Sequence, residues 1–278
     1  MKMFSSFTAN RKAPIPVMFI VGKGSKHDNV ELRCALRSLA KFGRGISRVI
    51  VAGNPPDWLA PDVERIEIEP VPLAGRNRQI TWNVIDGVRR AKIRGDFILA
   101  MDDVILLRET DFPTLPNWCS AYSLPFVPPT NGSWGQAMTD TGRWLQAHGY
   151  TALNFMIHAH VRMNAETILK HFDELKSTAF TDETVRGLEV LSLVGNMSIS
   201  DGIRDHGSGI RDLVVPCLHA DVKLANFDLT GVRDFFSYSD RIFEDPKFIN
   251  YLAYACGGKC AYEADDPQSI DRLVNIST

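Results

Sequence analysis

The feature that most constrains this chain is the alternation of short apolar runs with amphipathic stretches through its first hundred residues. Ile15 to Gly22 is an apolar run that ends in the loop Gly22-Lys23-Gly24-Ser25, and a helix then starts near Asp28 or Asn29 with Leu32, Leu36 and Leu39 at helical spacing. Arg48 to Gly53 reads as a second buried strand and Arg65 to Val71 as a third, alternating one. Asn77 to Ile93 places Ile80, Val84 and Val88 on one helical face, and a further apolar strand begins at Asp96. Strand and helix in this order predict βαβ units around a mostly parallel sheet flanked by helices, an α/β fold of Rossmann type. Pro55, Pro56, Pro61, Pro70 and Pro72 punctuate the connections.

The strand from Asp96 ends in two adjacent carboxylates, Asp102 and Asp103, before an apolar run resumes. Open parallel sheets bind ligands at the carboxyl ends of their strands. Two acids in one cleft repel each other and are costly to desolvate, so a divalent cation with a phosphate on its other side resolves the conflict. The plain alternative is a solvated loop carrying two Asp.

A length of 278 residues, 45% hydrophobic and 23% charged, allows one large domain spanning 1–278 or two closely packed halves. The net charge of -2 and the lack of any apolar run near about eighteen residues argue against a membrane-spanning helix and a globally basic nucleic-acid binder. Met1 to Arg11 lacks the apolar core of a secretory signal, so a cytoplasmic protein is expected. The five cysteines, Cys34, Cys119, Cys217, Cys256 and Cys260, lack paired metal spacing and read as reduced thiols, mostly buried.

The glycine loop has neither G-x-G-x-x-G spacing nor a P-loop ending, yet Gly22, Lys23, Gly24 and Ser25 suit one wall of a nucleotide pocket. Asp28 either bonds a ribose or base there or caps the helix, while Arg33 and Arg37 read as solvated charges. Phe112 to Gly149 shows little periodicity and is expected to be a long, loop-rich insertion. Its Trp118, Tyr122, Trp134 and Trp144 are either packing residues or stacking platforms for a sugar or base. Helices are expected over Asn164 to Leu175, capped by Asn164, over Asp182 to Leu193, and over Ser239 to Tyr254, giving a helical C-terminal part.

Alternation along a strand would put His158 and His160 on one face, as metal ligands or as hydrogen-bonded structure. The same choice holds for His219, with Asp221 beside it if that segment is extended.

Several blocks occur together in a familiar order. Val21 to Leu39 with its glycine loop, Val51-Ala52-Gly53-Asn54-Pro55-Pro56-Asp57-Trp58-Leu59, and the strand into Met101-Asp102-Asp103-Val104 resemble the nucleotide-sugar half of GT-A glycosyltransferases. Ile157-His158 followed by Asn164-Ala165-Glu166, then Ser192 to Asn196, Asp221-Val222-Lys223 and Phe236 to Asp240, are similar to later blocks of phage-encoded glycosyltransferases and the related Stealth capsule-polymer phosphotransferases. The resemblance covers about Val17 to Glu263. It implies a nucleotide-sugar-binding half over about 13–110 and an acceptor-binding and C-terminal half over about 111–278.

Carried over residue by residue, the resemblance gives Asp103 the metal and Asp102 the sugar, the ribose or a metal-bound water. Met101 stands where a full D-x-D would carry its first carboxylate. It implies His219 as a late metal ligand, Asp221 and Lys223 near the donor phosphates, and His158 in a mid-chain histidine block. The implied cofactor is Mn2+ or Mg2+, and the implied donor a nucleotide sugar such as a UDP-sugar. Departure of a diphosphate needs cations, for which Lys23, Arg76 and Arg78 are candidates, and an inverting reaction needs a base, for which Asp182, Glu183, Asp201 and His158 are candidates. A retaining reaction stays open. The phage resemblance implies hydroxymethylated pyrimidines in double-stranded DNA, such as hydroxymethylcytosine, as acceptor, and the host cytoplasm as location. The Stealth resemblance implies sugar-phosphate transfer onto polysaccharide, and a third alternative is a non-catalytic carbohydrate- or nucleic-acid-binding protein of the same fold. Arg89, Arg90, Lys92 and Arg94 are either phosphate contacts or a solvated helix end.

Overall fold

The computed structural model describes residues 12–22, 29–73, 75–116, 123–124, 133–157, 159–181, 184, 186–203, 217–220, 235–238 and 256–264. Its first half follows the predicted alternation. Strand β1 (Ile15–Val21) leads to helix α1 (Val30–Phe42), which buries Leu32, Leu36 and Leu39 together. A two-residue strand β2 (Gly43–Arg44), then β3 (Ile46–Gly53) and β4 (Glu64–Glu67), come before helix α2 (Arg76–Arg90) and strand β5 (Asp96–Ala100). The third strand stops short of Val71, close to Pro70, which has no N–H to donate to a ladder.

These strands form one sheet in the order β4-β3-β1-β5-β8, where β8 is Val161–Asn164. The first four are parallel, and β8 runs antiparallel to β5. The chain steps from β1 outward to β3 and β4, then crosses back by α2 to β5 on the other side of β1. The strand order therefore reverses between β1 and β5, the place where open α/β sheets form a ligand crevice at their carboxyl edge. Val17, Phe19, Ile50, Val51, Phe97 and Ile98 are fully buried along this sheet, as expected of strands covered on both faces.

After β5 the chain changes sheets. Strand β6 (Val104–Leu106) joins β9 (Cys217–Ala220) and β10 (Phe235–Tyr238) in a second sheet of order β6-β10-β9. Leu106 N–H donates to the Ser38 hydroxyl at 3.0 Å, which ties β6 to α1. Strand β7 (Thr110–Asp111) pairs with β2 and runs into a 3-10 turn at Phe112–Thr114.

The region expected to be loop-rich contains helix α3 (Ser133–Ala147), and this corrects the reading from periodicity. Its buried face is Ala137, Met138, Thr141 and Leu145, so a threonine occupies a core position. Thr141 is accommodated because its hydroxyl donates to the Ala137 carbonyl at 2.7 Å and accepts from Glu189 N–H at 2.9 Å. The single helix expected after Asn164 is divided at His171 into α4 (Ala165–Lys170) and α5 (Phe172–Phe180), although Asn164 caps it as foreseen, accepting from Thr167 N–H at 3.2 Å. The helix expected over Asp182 to Leu193 lies later, as α6 (Val190–Ser200), with Glu189 as its cap. The helix expected over Ser239 to Tyr254 falls outside the described residues.

Arg33 and Arg37 are not solvated. Both are buried against Glu263, Arg33 at 3.0 Å and Arg37 at 2.7 Å, and Arg33 also stacks over Trp58 with its guanidinium carbon 3.9 Å from the ring centroid. Cys34 and Cys256 are buried free thiols and Cys260 is a half-buried one.

Candidate active site

Gly22 follows β1 and Met101-Asp102-Asp103 follow β5, and Phe19 pairs with Ala100 across the two strands. The two connections therefore leave the carboxyl edge side by side, at the reversal of strand order. Asp102 and Asp103 form the turn between the sheets, with Val104 N–H donating to the Met101 carbonyl at 3.4 Å. Both are half-buried. Burial pushes the Asp102 carboxyl up to about 7, helped by the negative charge of Asp103 and of Glu31 from the first turn of α1. Arg76, at the start of α2, acts in the opposite direction. Double ionisation of this pair is thus disfavoured unless a cation joins it, and an all-oxygen donor set of this kind fits Mg2+ or Mn2+. Among the described residues no three His, Cys, Asp or Glu side chains converge as a metal cage.

The second sheet brings His219 into register with this turn. His219 in β9 is the partner of Ser237 in β10, and Ser237 is the partner of Val104, the residue after Asp103. The backbones of His219 and Val104 therefore share one row, two strand spacings or about 10 Å apart. Of the other candidates, Lys23, Gly24, Ser25, Asp28, His158, Asp182, Glu183, Asp221 and Lys223 lie outside the described residues, as do Trp118 and Tyr122.

Arg76 and Arg78 take different places. Arg76 is exposed beside Asp102, whereas Arg78 is buried and donates to the Thr184 carbonyl. The segment around Thr184 to Gly187 is joined to the start of α2: Asn77 N–H donates to the Arg186 carbonyl at 3.1 Å, and the Asn77 amide donates to the Gly187 carbonyl at 3.2 Å. Arg186 thereby stands close to Arg76. Burial and the charge of Arg76 lower its pKa. Nothing in local periodicity marks Arg186; only its neighbour Gly187, at φ 85°, hints at a close approach.

Asp201 is placed elsewhere. It closes the C-terminus of α6, where it accepts from Lys170 and lies 3.2 Å from His171 Nε2. Asn164 pairs with Asp96 at the beginning of β5, and α4 follows directly from Asn164, so this cluster sits at the amino edge of the sheet, opposite Asp102. Its ion pairs hold the Asp201 pKa down despite partial burial. As a base for chemistry at Asp102 it is a full strand length out of place, which corrects that candidate.

His160 is also corrected. It is fully buried among Phe19, Phe112 and Phe235, with ring centroids 6.2, 6.0 and 5.4 Å away, and neither ring nitrogen has a partner among the described residues. Burial drives its pKa down to about 3. It is an aromatic spacer between the two sheets. Trp144 stacks on His148 at 3.9 Å and packs, with Trp134, against the core, so both serve packing. Arg89 pairs with Asp86 and Arg90 donates to the Glu67 carbonyl, both in the last turn of α2, again at the edge away from Asp102.

No protein-family model and no curated protein matches the chain. Among solved structures, the galactosyltransferase LgtC in complex with donor and acceptor sugar analogs aligns over 93% of this chain and 100% of its own, at 13% identity and a TM-score of 0.48. An active-site mutant of LgtC aligns over 95% of each chain, at 14% identity and a TM-score of 0.43. The apo-form glycosyltransferase GlyE of Streptococcus pneumoniae TIGR4 aligns over 95% of this chain and 63% of its own, at 10% identity and a TM-score of 0.36. No helix among the described residues is long and apolar enough to cross a membrane.

Proposed function

We propose that this protein is a metal-dependent glycosyltransferase of GT-A type that moves a sugar from a nucleoside-diphosphate sugar, a UDP-sugar first among them, to a hydroxyl acceptor. The observation that carries the reading is the Asp102-Asp103 turn. It lies at the carboxyl edge, beside the reversal of strand order and near the cation Arg76. Asp103 and Asp102, with His219 from the neighbouring sheet, would hold Mn2+ or Mg2+. When bound, the ion supplies Lewis-acid neutralisation of the departing diphosphate.

The chain's own residues supply the rest. Arg76, exposed beside Asp102, would offset the negative charge that develops on the departing diphosphate. The negative charges of Asp103 and Glu31 raise the Asp102 pKa, so a further carboxylate is disfavoured there and a cation favoured. His158, Asp182 and Glu183 are the remaining candidates for the base that takes the acceptor proton.

For the acceptor, a hydroxymethylated pyrimidine in duplex DNA is the specific case to test first, and a polysaccharide end the second. The basic residues at the end of α2 would not grip DNA beside Asp102, so a duplex must approach from the carboxyl edge. The experiment is a panel of nucleotide sugars with Mn2+, offered hydroxymethylcytosine duplex and oligosaccharides, with products read by mass. Sugar gained by the modified nucleoside supports the DNA acceptor; gain only on oligosaccharide rejects it. Donor binding with no transfer to any acceptor would favour a binding protein over an enzyme.

A further inference from the structure

Helix α1 carries a serine on its buried face, and the strand that follows the acid turn is fastened to it. Ser38 is 1% exposed, and its hydroxyl donates to the Ala35 carbonyl at 2.8 Å, the usual recourse of a serine inside a helix. The same oxygen accepts from Leu106 N–H at 3.0 Å. Among the described residues β6 is an edge of the second sheet, paired on one side only, with Ile105 opposite Phe236 of β10. N–H groups alternate sides along such a strand, so those of Val104 and Leu106 turn to the other edge. Val104 N–H closes the Asp102-Asp103 turn on the Met101 carbonyl at 3.4 Å, and Leu106 N–H, two residues on, goes to Ser38. Farther along, Thr110 and Asp111 of β7 pair with Gly43 and Arg44, the residues directly after α1. The chain leaving the acid turn is therefore held by α1 at Leu106 and by the continuation of α1 at β7. Leu106 is buried, and a buried N–H without an acceptor is costly, so the Ser38 hydroxyl has no cheap substitute.

We propose that Ser38 is a positioning residue for the Asp102-Asp103 turn: by accepting from Leu106 N–H it fixes β6, and with it the place of both acids, against α1. This role rests on the donor-site reading above and extends it to a helix residue that acts on the site only through the strand. Leu106 lies three residues from Asp103, so a displacement of β6 is passed on to the carboxylates along a chain too short to absorb it. Metal–ligand distances tolerate only about 0.2 Å of change, so a small shift of β6 is enough to weaken a cation held by the turn.

The test compares the full-length wild type with Ser38→Ala, Ser38→Cys kept reduced and, as a matched control, Ser198→Ala, which removes another buried hydroxyl contact, the one at 3.0 Å to Thr167 between α6 and α4. Two quantities are read: hydrogen exchange of the Val104 amide in metal-free protein, and Mn2+ affinity in the presence of UDP, from the paramagnetic resonance signal of free Mn2+. In Ser38→Ala the Val104 amide is expected to exchange roughly tenfold faster or more, and Mn2+ affinity to fall roughly fivefold or more, somewhat less than when a group bonded directly to a metal ligand is removed. Ser38→Cys keeps the shape with a weaker acceptor and should change both by less. Ser198→Ala should lower the melting temperature and leave both quantities as in the wild type. Should Ser38→Ala fail to fold, Ser38→Cys carries the comparison alone. A Ser38→Ala protein that melts earlier yet binds Mn2+ as the wild type does overturns the assignment and leaves the donor site standing, because it reports a structural role only. Equal losses in Ser38→Ala and Ser198→Ala overturn it too, since they report general loosening. A wild type that binds no Mn2+ with UDP overturns both.

Discussion

Half-buried Asp102 and fully buried His160 are titratable residues near the junction of the two sheets, and their surroundings shift their pKa values in opposite directions. Asp102 stands at the carboxyl edge with charged neighbours of both signs, and burial together with the charges of Asp103 and Glu31 raises its pKa, the pattern of a candidate functional group. His160 has only phenylalanine rings around it, so its lowered pKa reports desolvation alone. Its effect on stability has a definite sign. The unfolded histidine takes up a proton below about 6.5 and the folded one does not until about 3, so stability falls as pH drops through that window, by about 1.4 kcal/mol per pH unit. His160→Leu should flatten this loss and cost little at neutral pH, since two buried nitrogens without partners among the described residues are removed. Urea unfolding at pH 7.5 and pH 5 measures it; an unchanged slope between the two would show that His160 is not the group responsible. The adjacent acids were legible from sequence because strand, then carboxylate pair, is a local pattern. The fate of His160 was not, because β8 begins only at Val161 and the phenylalanines around His160 come from three distant elements.

At the scale of elements, α1, α2 and the strands around them follow directly from apolar spacing, and α3 and α6 do not. In α3 the core position at Thr141 reads as polar, and in α6 Ser192 and Asn196 are among the buried positions that read as polar. Each of these polar groups is satisfied by a loop backbone, Ser192 by Phe155 N–H at 3.0 Å and Asn196 by Leu153 at 2.9 Å, a compensation that only the tertiary structure supplies. The contact between α2 and the segment before α6 is of the same kind, made by backbone approach rather than by side-chain pattern. Gly187→Ala is therefore expected to destabilise by about 2 kcal/mol, since it combines a positive φ with a clash against the Arg78 backbone. Chemical denaturation checks it; a variant as stable as the wild type would mean that the two segments separate easily.

Across the molecule, the carboxyl edge gathers the turn between the sheets, the end of β1 and the start of α2, while the amino edge carries the Lys170, His171 and Asp201 cluster and the basic end of α2. The buried Glu263, held by Arg33 and Arg37, links the C-terminal segment to α1, whose first turn brings Glu31 near Asp102. Binding at the turn should consequently be felt by the whole fold as a gain in stability. The most direct measurement is the melting temperature with UDP and Mn2+ together, each alone, and neither, for wild type and Asp103→Ala. A donor site built on the Asp102-Asp103 turn predicts a rise of about 5 °C or more with both ligands near saturation in the wild type, and its loss in Asp103→Ala. No metal-dependent rise in the wild type, or the same rise in the variant, would contradict it.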